Sequence, residues 1–221
     1  SSIRQAAYIG GVKLEDEFMT QETWGAYKAA DKPKWSGVPE VVITKNGKSA
    51  LFSQSNSLTR YVGKLSGLYP KNDIDALKVD EYMDAMEDFI NLLVPTFREQ
   101  DETKRIKMRQ DMIADKTPKG LPYWLNRFEL RLKENEDEGF TKGYFVGNSL
   151  TIADLKVVSL LDGIPAGRLD GIPKNYLENF PKLNKLLSIV NDDPKIAEFT
   201  KKFMANVAAF GKDKTKNIYS Y

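Results

Sequence analysis

The stretch Ser53-Gln54-Ser55-Asn56-Ser57-Leu58-Thr59-Arg60-Tyr61-Val62 lies where the pattern of the chain changes from strand to helix. Before it, residues 40–44 are mostly β-branched, and Asn46-Gly47 is a strong hairpin signal ahead of a return strand at 49–53. Within it, Ser55 has a side chain that is favoured at a helix N-cap, and the helix should run to about Lys64. The sequence therefore predicts a hairpin followed directly by a capped helix.

The remainder of the chain divides into a short mixed part and a long helical part. Residues 2–10 have helical spacing, residues 12–18 suggest a short strand, and residues 65–75 carry the punctuation of a linker. Beyond the linker, apolar spacing predicts helices from about 73 past 89 and near 102–114, 118–135, 152–162, 173–177, 181–191 and 194–207. This order indicates a small α/β domain over 1–66 and an all-helical domain over 73–207.

Composition excludes several classes of function. The 221 residues include 33 basic and 31 acidic side chains, so there is no global drive towards nucleic acid or membrane. Cysteine and histidine are absent, which excludes disulfides, thiol nucleophiles, ordinary zinc clusters and histidine-dependent triads. No apolar run approaches the ~20 residues of a membrane span, and no signal peptide is recognisable. We expect a cytoplasmic protein. Its chemistry must use other side chains or a nucleophile that a substrate supplies.

Two short segments are candidates for ligand binding. The first is Pro39, which follows Gly37-Val38 and has two equally good explanations. It can mark the start of a strand, or it can form a cis-proline turn that exposes the Val38 backbone to an extended peptide ligand. Ser55 is explained as a helix cap alone, or as part of a helix N-terminus that also attracts a carboxylate.

A third segment, Thr151-Ile152-Ala153-Asp154, has the spacing of a capping box, in which Asp154 bonds back to Thr151. Leu150 and Leu155 occupy the two hydrophobic staple positions. The expected role of this box is structural.

The three segments, in this order and at these separations, resemble those of cytosolic glutathione transferases, most closely the sigma class, over roughly residues 1–205. The resemblance implies an α/β thioredoxin-like N-terminal domain and an all-α helical-bundle C-terminal domain. It implies that Val38 and Pro39 hold the cysteinyl part of glutathione, and that Gln54 and Ser55 hold the γ-glutamyl carboxylate and amine.

Two further parts of the glutathione site are implied by the same resemblance. Trp24 and Lys28 match the sigma-class pair that touches the glycyl end, although core packing of Trp24 and a surface role for Lys28 explain the same spacing. Asp84, Glu87 and Asp88 share one helical face, which is explained without function as a solvated acidic surface. The resemblance places this helix at a dimer interface and implies that Asp88 reaches the partner's glutathione amine. We predict no metal site.

The family begins with a central strand that carries the catalytic tyrosine, and residues 2–5 here align inside the helix that follows that strand. Residues 216–221, Lys-Asn-Ile-Tyr-Ser-Tyr, resemble the missing strand. Our hypothesis is a circularly permuted or relabelled chain in which 216–221 complete the first domain and Tyr219 donates a hydrogen bond to the glutathione sulfur. The alternative is a disordered tail in a chain truncated at its N-terminus.

The resemblance implies a cytoplasmic, homodimeric detoxification enzyme that adds glutathione, as co-substrate, to hydrophobic electrophiles. The alternative is a non-catalytic scaffold or crystallin-type relative that retains the fold. A glutathione-dependent redox protein is disfavoured, because the chain has no cysteine to form a mixed disulfide.

Overall fold

The computed structural model describes residues 1–35 and 37–211, apart from the side chains at 21 and 210. Over these residues the helices are α1 (Ser2–Ile9), α2 (Gln21–Ala29), α3 (Ser55–Ser66), α4 (Asp73–Arg98), α5 (Glu102–Ala114), α6 (Leu121–Asp137), α7 (Ile152–Leu161), α8 (Pro181–Asn191) and α9 (Pro194–Gly211), with a 3₁₀ helix at Tyr176–Asn179. The strands are β1 (Glu40–Lys45) and β2 (Lys48–Ser53).

The chain folds into two compact units. Unit 1 contains Ser1–Leu68 together with the segment from Asp193, and unit 2 contains Tyr69–Asp192. Helix α9 thus groups with the mixed α/β part, and the domain bounds given by the sequence stay a prediction. Unit 1 combines helices with a two-stranded sheet, and the described elements of unit 2 are all helical.

The hairpin of unit 1 forms as the sequence predicts. Strands β1 and β2 pair antiparallel, with Glu40 opposite Ser53 and Lys45 opposite Lys48. The two turn residues have positive φ, 53° at Asn46 and 72° at Gly47, the values that a tight hairpin turn requires. The strand predicted at 12–18 is wrong: this segment has no strand partner among the described residues, and its charged side chains, including Asp16, which pairs with Arg4, interrupt the alternation.

Helices α1 and α3 form the core of unit 1. Their buried apolar side chains face one another: Ile3, Ala6, Ala7, Leu58 and Val62. Helix α9 packs on α1, where Lys195 Nζ donates to the carbonyl of Ile9 at 2.9 Å and the rings of Phe199 and Tyr8 lie 5.6 Å apart.

The ends of α1 and α3 approach so closely that only glycine fits at position 10. A Cβ at Gly10 would lie 2.0 Å from Cβ and 2.4 Å from Cα of Ser66. We expect Gly10→Ala to lower the free energy of unfolding by about 2–3 kcal/mol, because the helices must separate. Urea unfolding followed by circular dichroism measures this change.

The matched control is Gly25→Ala in α2, where an added Cβ meets nothing within 4 Å. That substitution should raise the free energy of unfolding by about 0.5–1 kcal/mol, since alanine is the better helix former. Equal effects of the two substitutions would contradict the close approach of α1 and α3.

Unit 2 is a helical assembly around α7, most of whose residues are buried. Helix α4 packs on α7, and α8 packs on both α6 and α7. A chain of ring contacts crosses this core and involves Tyr82, Phe89, Trp124, Phe128 and Phe145. No helix among the described residues is long and apolar enough to cross a membrane.

The predicted capping box at the start of α7 is confirmed, and it has one extra contact. Asp154 is fully buried and accepts hydrogen bonds from the backbone N–H and the hydroxyl of Thr151, at 2.7 and 2.8 Å. Its other oxygen accepts from the N–H of Phe145 at 2.9 Å. One carboxylate therefore holds both the first turn of α7 and the loop that precedes it.

A second polar cluster in unit 2 joins α5 to a loop. Arg109, only 3% exposed, donates to the Thr96 hydroxyl at 3.0 Å and to the carboxylate of Asp170. Arg105 donates to the other oxygen of Asp170 from Nε and Nη2, at 2.9 and 2.7 Å. These bonds hold the pKa of the Asp170 carboxyl below its usual value, with the Arg105 hydrogen bond as the largest cause.

Candidate functional site

The junction of β2 and α3 is the most unusual piece of backbone in unit 1. Gln54 has φ 76° and ψ 111°, a left-handed value that a non-glycine residue rarely adopts. Strain of this kind is concentrated at ligand-binding positions. Here it turns the chain sharply from β2 into the first turn of α3.

Helix α3 begins at Ser55, so the prediction that Ser55 is the N-cap is wrong by one position. Gln54 is the N-cap residue, and its side chain makes no capping hydrogen bond. The first N–H groups of a helix lack intrahelical partners and carry a partial positive charge. The N-terminus of α3 can therefore receive a carboxylate close to both Gln54 and Ser55.

The turn at Pro39 lies beside this junction. The Val38–Pro39 peptide bond is cis, as the second interpretation of the turn predicts, and Val38 is 52% exposed. The hairpin register places Glu40 opposite Ser53, and the Ser53 hydroxyl donates to the Pro39 carbonyl at 3.2 Å. Two segments predicted to bind one ligand are thus adjacent in space.

Helix α2 presents the third predicted part of the site. Lys28 Nζ lies 5.3 Å from the centre of the Trp24 ring, and Trp24 stacks on Tyr27 with ring centres 6.0 Å apart. Trp24 is half-buried and Lys28 is exposed, so neither belongs to the core. The hydroxyl of Tyr27 donates to Glu40 Oε2 at 2.9 Å, which joins α2 to β1.

Asp88 is exposed on α4 in unit 2. Its neighbour Glu87 pairs with Lys156 Nζ at 3.2 Å. No group of three or more acidic, histidine or cysteine side chains among the described residues could hold a metal ion. Tyr219 and the segment 216–221 lie outside the described residues, so their predicted roles remain a prediction.

Two residues of unit 1 were missed by the sequence analysis, Glu40 and Ser53. Both lie at the paired ends of the hairpin, where residues on opposite strands are adjacent, and that position was the signal. In unit 2 the analysis missed Lys156, which is the single basic residue in the sequence of α7.

Comparison with known proteins matches residues 87–203 to the family model described as glutathione S-transferase, C-terminal domain. Glutathione S-transferase 1 of Ascaris suum is 30% identical over 154 residues, which is 68% of this chain and 68% of that protein. S-crystallin SL11 of Nototodarus sloanii is 28% identical over 149 residues, 67% of this chain and 66% of that protein.

Solved structures share this fold, and they confirm the predicted fold class of a thioredoxin-like domain and a helical domain. The structure of prostaglandin synthase D of Nilaparvata lugens superposes with a TM-score of 0.71 at 25% identity, covering 91% of this chain and 90% of that one. The matched family model, the curated relative and the common fold agree with one another, and this chain belongs to the glutathione S-transferase family.

Proposed function

We propose that this protein is a glutathione transferase that binds glutathione on unit 1 and adds its sulfur to hydrophobic electrophiles. The observation that carries the proposal is the strained Gln54 at the N-terminus of α3, beside the turn at Pro39. Family membership supports the assignment of glutathione as co-substrate.

The geometry of unit 1 supports the binding of each residue of an extended tripeptide by a different part of unit 1. The N-terminus of α3, with Gln54 and Ser55, suits the γ-glutamyl carboxylate and amine, because free N–H groups and the helix dipole favour an anion there. The backbone of Val38, a residue that is exposed before the turn at Pro39, can pair with the cysteinyl residue in the manner of an added strand.

The glycyl carboxylate has a complementary partner in Lys28. Its ammonium stays on the exposed face of α2, beside the ring of Trp24. A charge-assisted hydrogen bond from Lys28 would favour the carboxylate, and the indole would shield it from water.

The remaining parts of the proposal rest on family membership and on the sequence. Tyr219, in a first strand formed by 216–221 of a permuted chain, would donate to the glutathione sulfur and so favour thiolate over thiol. Asp88 would reach the glutathione amine of a partner in a sigma-like homodimer. The protein would act in detoxification in the cytoplasm, with neither nucleic acid nor membrane as a partner.

The test is conjugation of glutathione to 1-chloro-2,4-dinitrobenzene by the full chain and by Tyr219→Phe. We expect Tyr219→Phe to lower kcat/KM by about 100-fold, because removal of a positioned donor at developing charge typically costs this much. The dissociation constant for glutathione, measured by calorimetry, should change little, since the peptide contacts remain.

Tyr221→Phe is the matched control, because it removes the other tyrosine hydroxyl of the segment 216–221. It should leave kcat/KM unchanged. Equal losses in both variants, or turnover unaffected by either, would refute the role of Tyr219. A full chain that does not bind glutathione would refute the function itself.

The similarity to S-crystallin SL11 favours a second candidate, a non-catalytic relative that retains the fold. This candidate predicts no turnover with any electrophile, even where glutathione binds. The strained Gln54 argues for the enzyme, because a purely structural protein has no need of a backbone held ready for a ligand.

A further inference from the structure

We propose that Glu40 is a positioning residue for the glutathione site: its two carboxylate oxygens hold α2 and the following loop against β1, and so fix the distance between the parts of the site. This inference rests on the proposed function. Glu40 makes no contact with glutathione in this proposal, but its hydrogen bonds fix the positions of the residues that bind glutathione.

The two oxygens of Glu40 have different partners. Oε2 accepts from the hydroxyl of Tyr27, in α2, at 2.9 Å. Oε1 accepts from the backbone N–H of Lys34, in the loop after α2, at 2.6 Å. A single side chain on β1 therefore fixes both the helix and the loop that follows it.

The same residue adjoins the other two parts of the site. Glu40 follows Pro39 directly in the chain and faces Ser53 across the hairpin. Ser53 in turn donates to the Pro39 carbonyl and precedes Gln54. Val38, Pro39, Gln54 and Ser55 thus each lie within two residues of Glu40 or of its strand partner.

Tyr27 transmits this restraint to the glycyl end. Its ring stacks on Trp24, which lies beside Lys28 Nζ, all on one face of α2. The hydrogen bond to Glu40 also raises the pKa of Tyr27, so that the hydroxyl keeps the proton that it donates. Moving Glu40 would release the aromatic pair and the lysine together.

A second tether holds the same loop at Lys34. Its Nζ donates to the carbonyl of Leu51 at 2.6 Å and lies 5.2 Å from the centre of the Phe52 ring, so its side chain reaches across to β2. The backbone of Lys34 is bound by β1 through Glu40, and its side chain is bound by β2. The loop is therefore attached to both strands of the hairpin.

Glu40 itself is not suited to contact the ligand. Glutathione carries two carboxylates at neutral pH, and a third carboxylate beside them would repel it. Both oxygens of Glu40 are already occupied by donors of the protein. Its role must therefore be exerted through α2 and the loop, and sites held this way lose affinity when their support is loosened by fractions of an ångström.

The experiment compares Glu40→Ala, Glu40→Gln and Tyr27→Phe with the unchanged chain, by calorimetry with glutathione and by steady-state kinetics. We expect Glu40→Ala to weaken glutathione binding by about tenfold and to raise the KM for glutathione equally, because positioning is lost. The KM for 1-chloro-2,4-dinitrobenzene should stay within about twofold, since the inference assigns this network to the binding of glutathione alone.

The conservative variant should restore binding. The amide of Glu40→Gln can still accept from the Lys34 N–H and can donate to the Tyr27 oxygen, so affinity should lie within about threefold of the unchanged chain. Tyr27→Phe removes one bond and leaves the other, and it should fall between the two. Glu22→Ala, on the exposed first turn of α2, is the control and should change nothing.

The outcomes separate the inference from the function on which it rests. If the unchanged chain does not bind glutathione, the proposed function fails. If the chain binds but Glu40→Ala or Tyr27→Phe binds equally well while folded, the inference is overturned. If Glu40→Ala does not fold, the affinities of Tyr27→Phe and Glu40→Gln for glutathione decide. An unchanged affinity in Tyr27→Phe overturns the inference. A weakened affinity in Tyr27→Phe, together with a nearly unchanged affinity in Glu40→Gln, supports the inference.

Discussion

Asp154→Ala should lower the free energy of unfolding at pH 7 by about 3–5 kcal/mol, enough to unfold much of a marginally stable protein. The substitution leaves the N–H of Phe145 and both donors of Thr151 buried without an acceptor. Each of these donors loses its hydrogen bonds to water on folding and gains none in the folded protein, which lowers the free energy of unfolding. Urea unfolding followed by circular dichroism gives the value.

The control is Asp192→Ala, at an exposed aspartate just after α8, which should alter stability by no more than about 0.5 kcal/mol. Thr151→Ala should fall between them, because it removes only one of the three donors. A loss at Asp154 as small as that at Asp192 would mean that water reaches the box.

The capping box also has a pH signature. Burial raises the pKa of Asp154 to about 6, against the opposing effect of its hydrogen bonds. Between the usual pKa of an aspartate, about 3.9, and this raised value, the folded state binds a proton that the unfolded state has released. The stability contributed by this group therefore falls as pH rises through that window, and this contribution to the slope of stability against pH should be absent in Asp154→Ala.

Asp170→Asn is the second substitution with a large expected effect, a loss of about 2–4 kcal/mol at pH 7. It removes the countercharge of Arg109, whose guanidinium is almost fully buried, and breaks the hydrogen bonds from Arg105. A buried cation without its partner is strongly destabilising, and the partial exposure of Asp170 moderates the loss. Thermal and urea unfolding both report it.

The pH dependence of stability that arises from the Asp170 carboxylate has the opposite sign to that from Asp154. The pKa of Asp170 is lowered in the folded state. The carboxylate therefore makes its full contribution to the free energy of unfolding at pH values above the ordinary pKa of an aspartate, and this contribution is lost as pH falls below that pKa. The stability difference between the unchanged chain and Asp170→Asn should shrink as pH falls from 5 to 3. Glu178→Gln, at an exposed carboxylate, is the control and should alter stability by no more than about 0.5 kcal/mol.

The parts of the fold that follow from local chemistry were predictable. The left-handed turn at Asn46-Gly47 and the box at Thr151 and Asp154 each depend on residues close in the sequence, and both are present. The order of predicted strands and helices indicated a small α/β domain followed by a helical domain, and the family resemblance added that the first domain is thioredoxin-like.

The parts that failed or were missed depend on neighbours distant in the chain. A strand at 12–18 needs a partner that periodicity cannot reveal, and the positive φ of Gln54 moves the start of α3 by one residue. Glu40 belongs to the site only because the register of the hairpin and the position of Tyr27 bring its partners together. No pattern within a short window contains that information.

Unit 1 is assembled from two stretches of chain separated by all of unit 2. The ribosome synthesises α1 before unit 2 and α9 after it, so the hydrogen bonds from Lys195 to Ile9 and from Lys202 to Tyr8 cannot form until all of unit 2 has been made. Closing a loop of this length costs only about 4–5 kcal/mol of chain entropy, since the cost grows logarithmically. During synthesis, the surface of α1 that α9 covers therefore stays open to chaperones and proteases until unit 2 is complete.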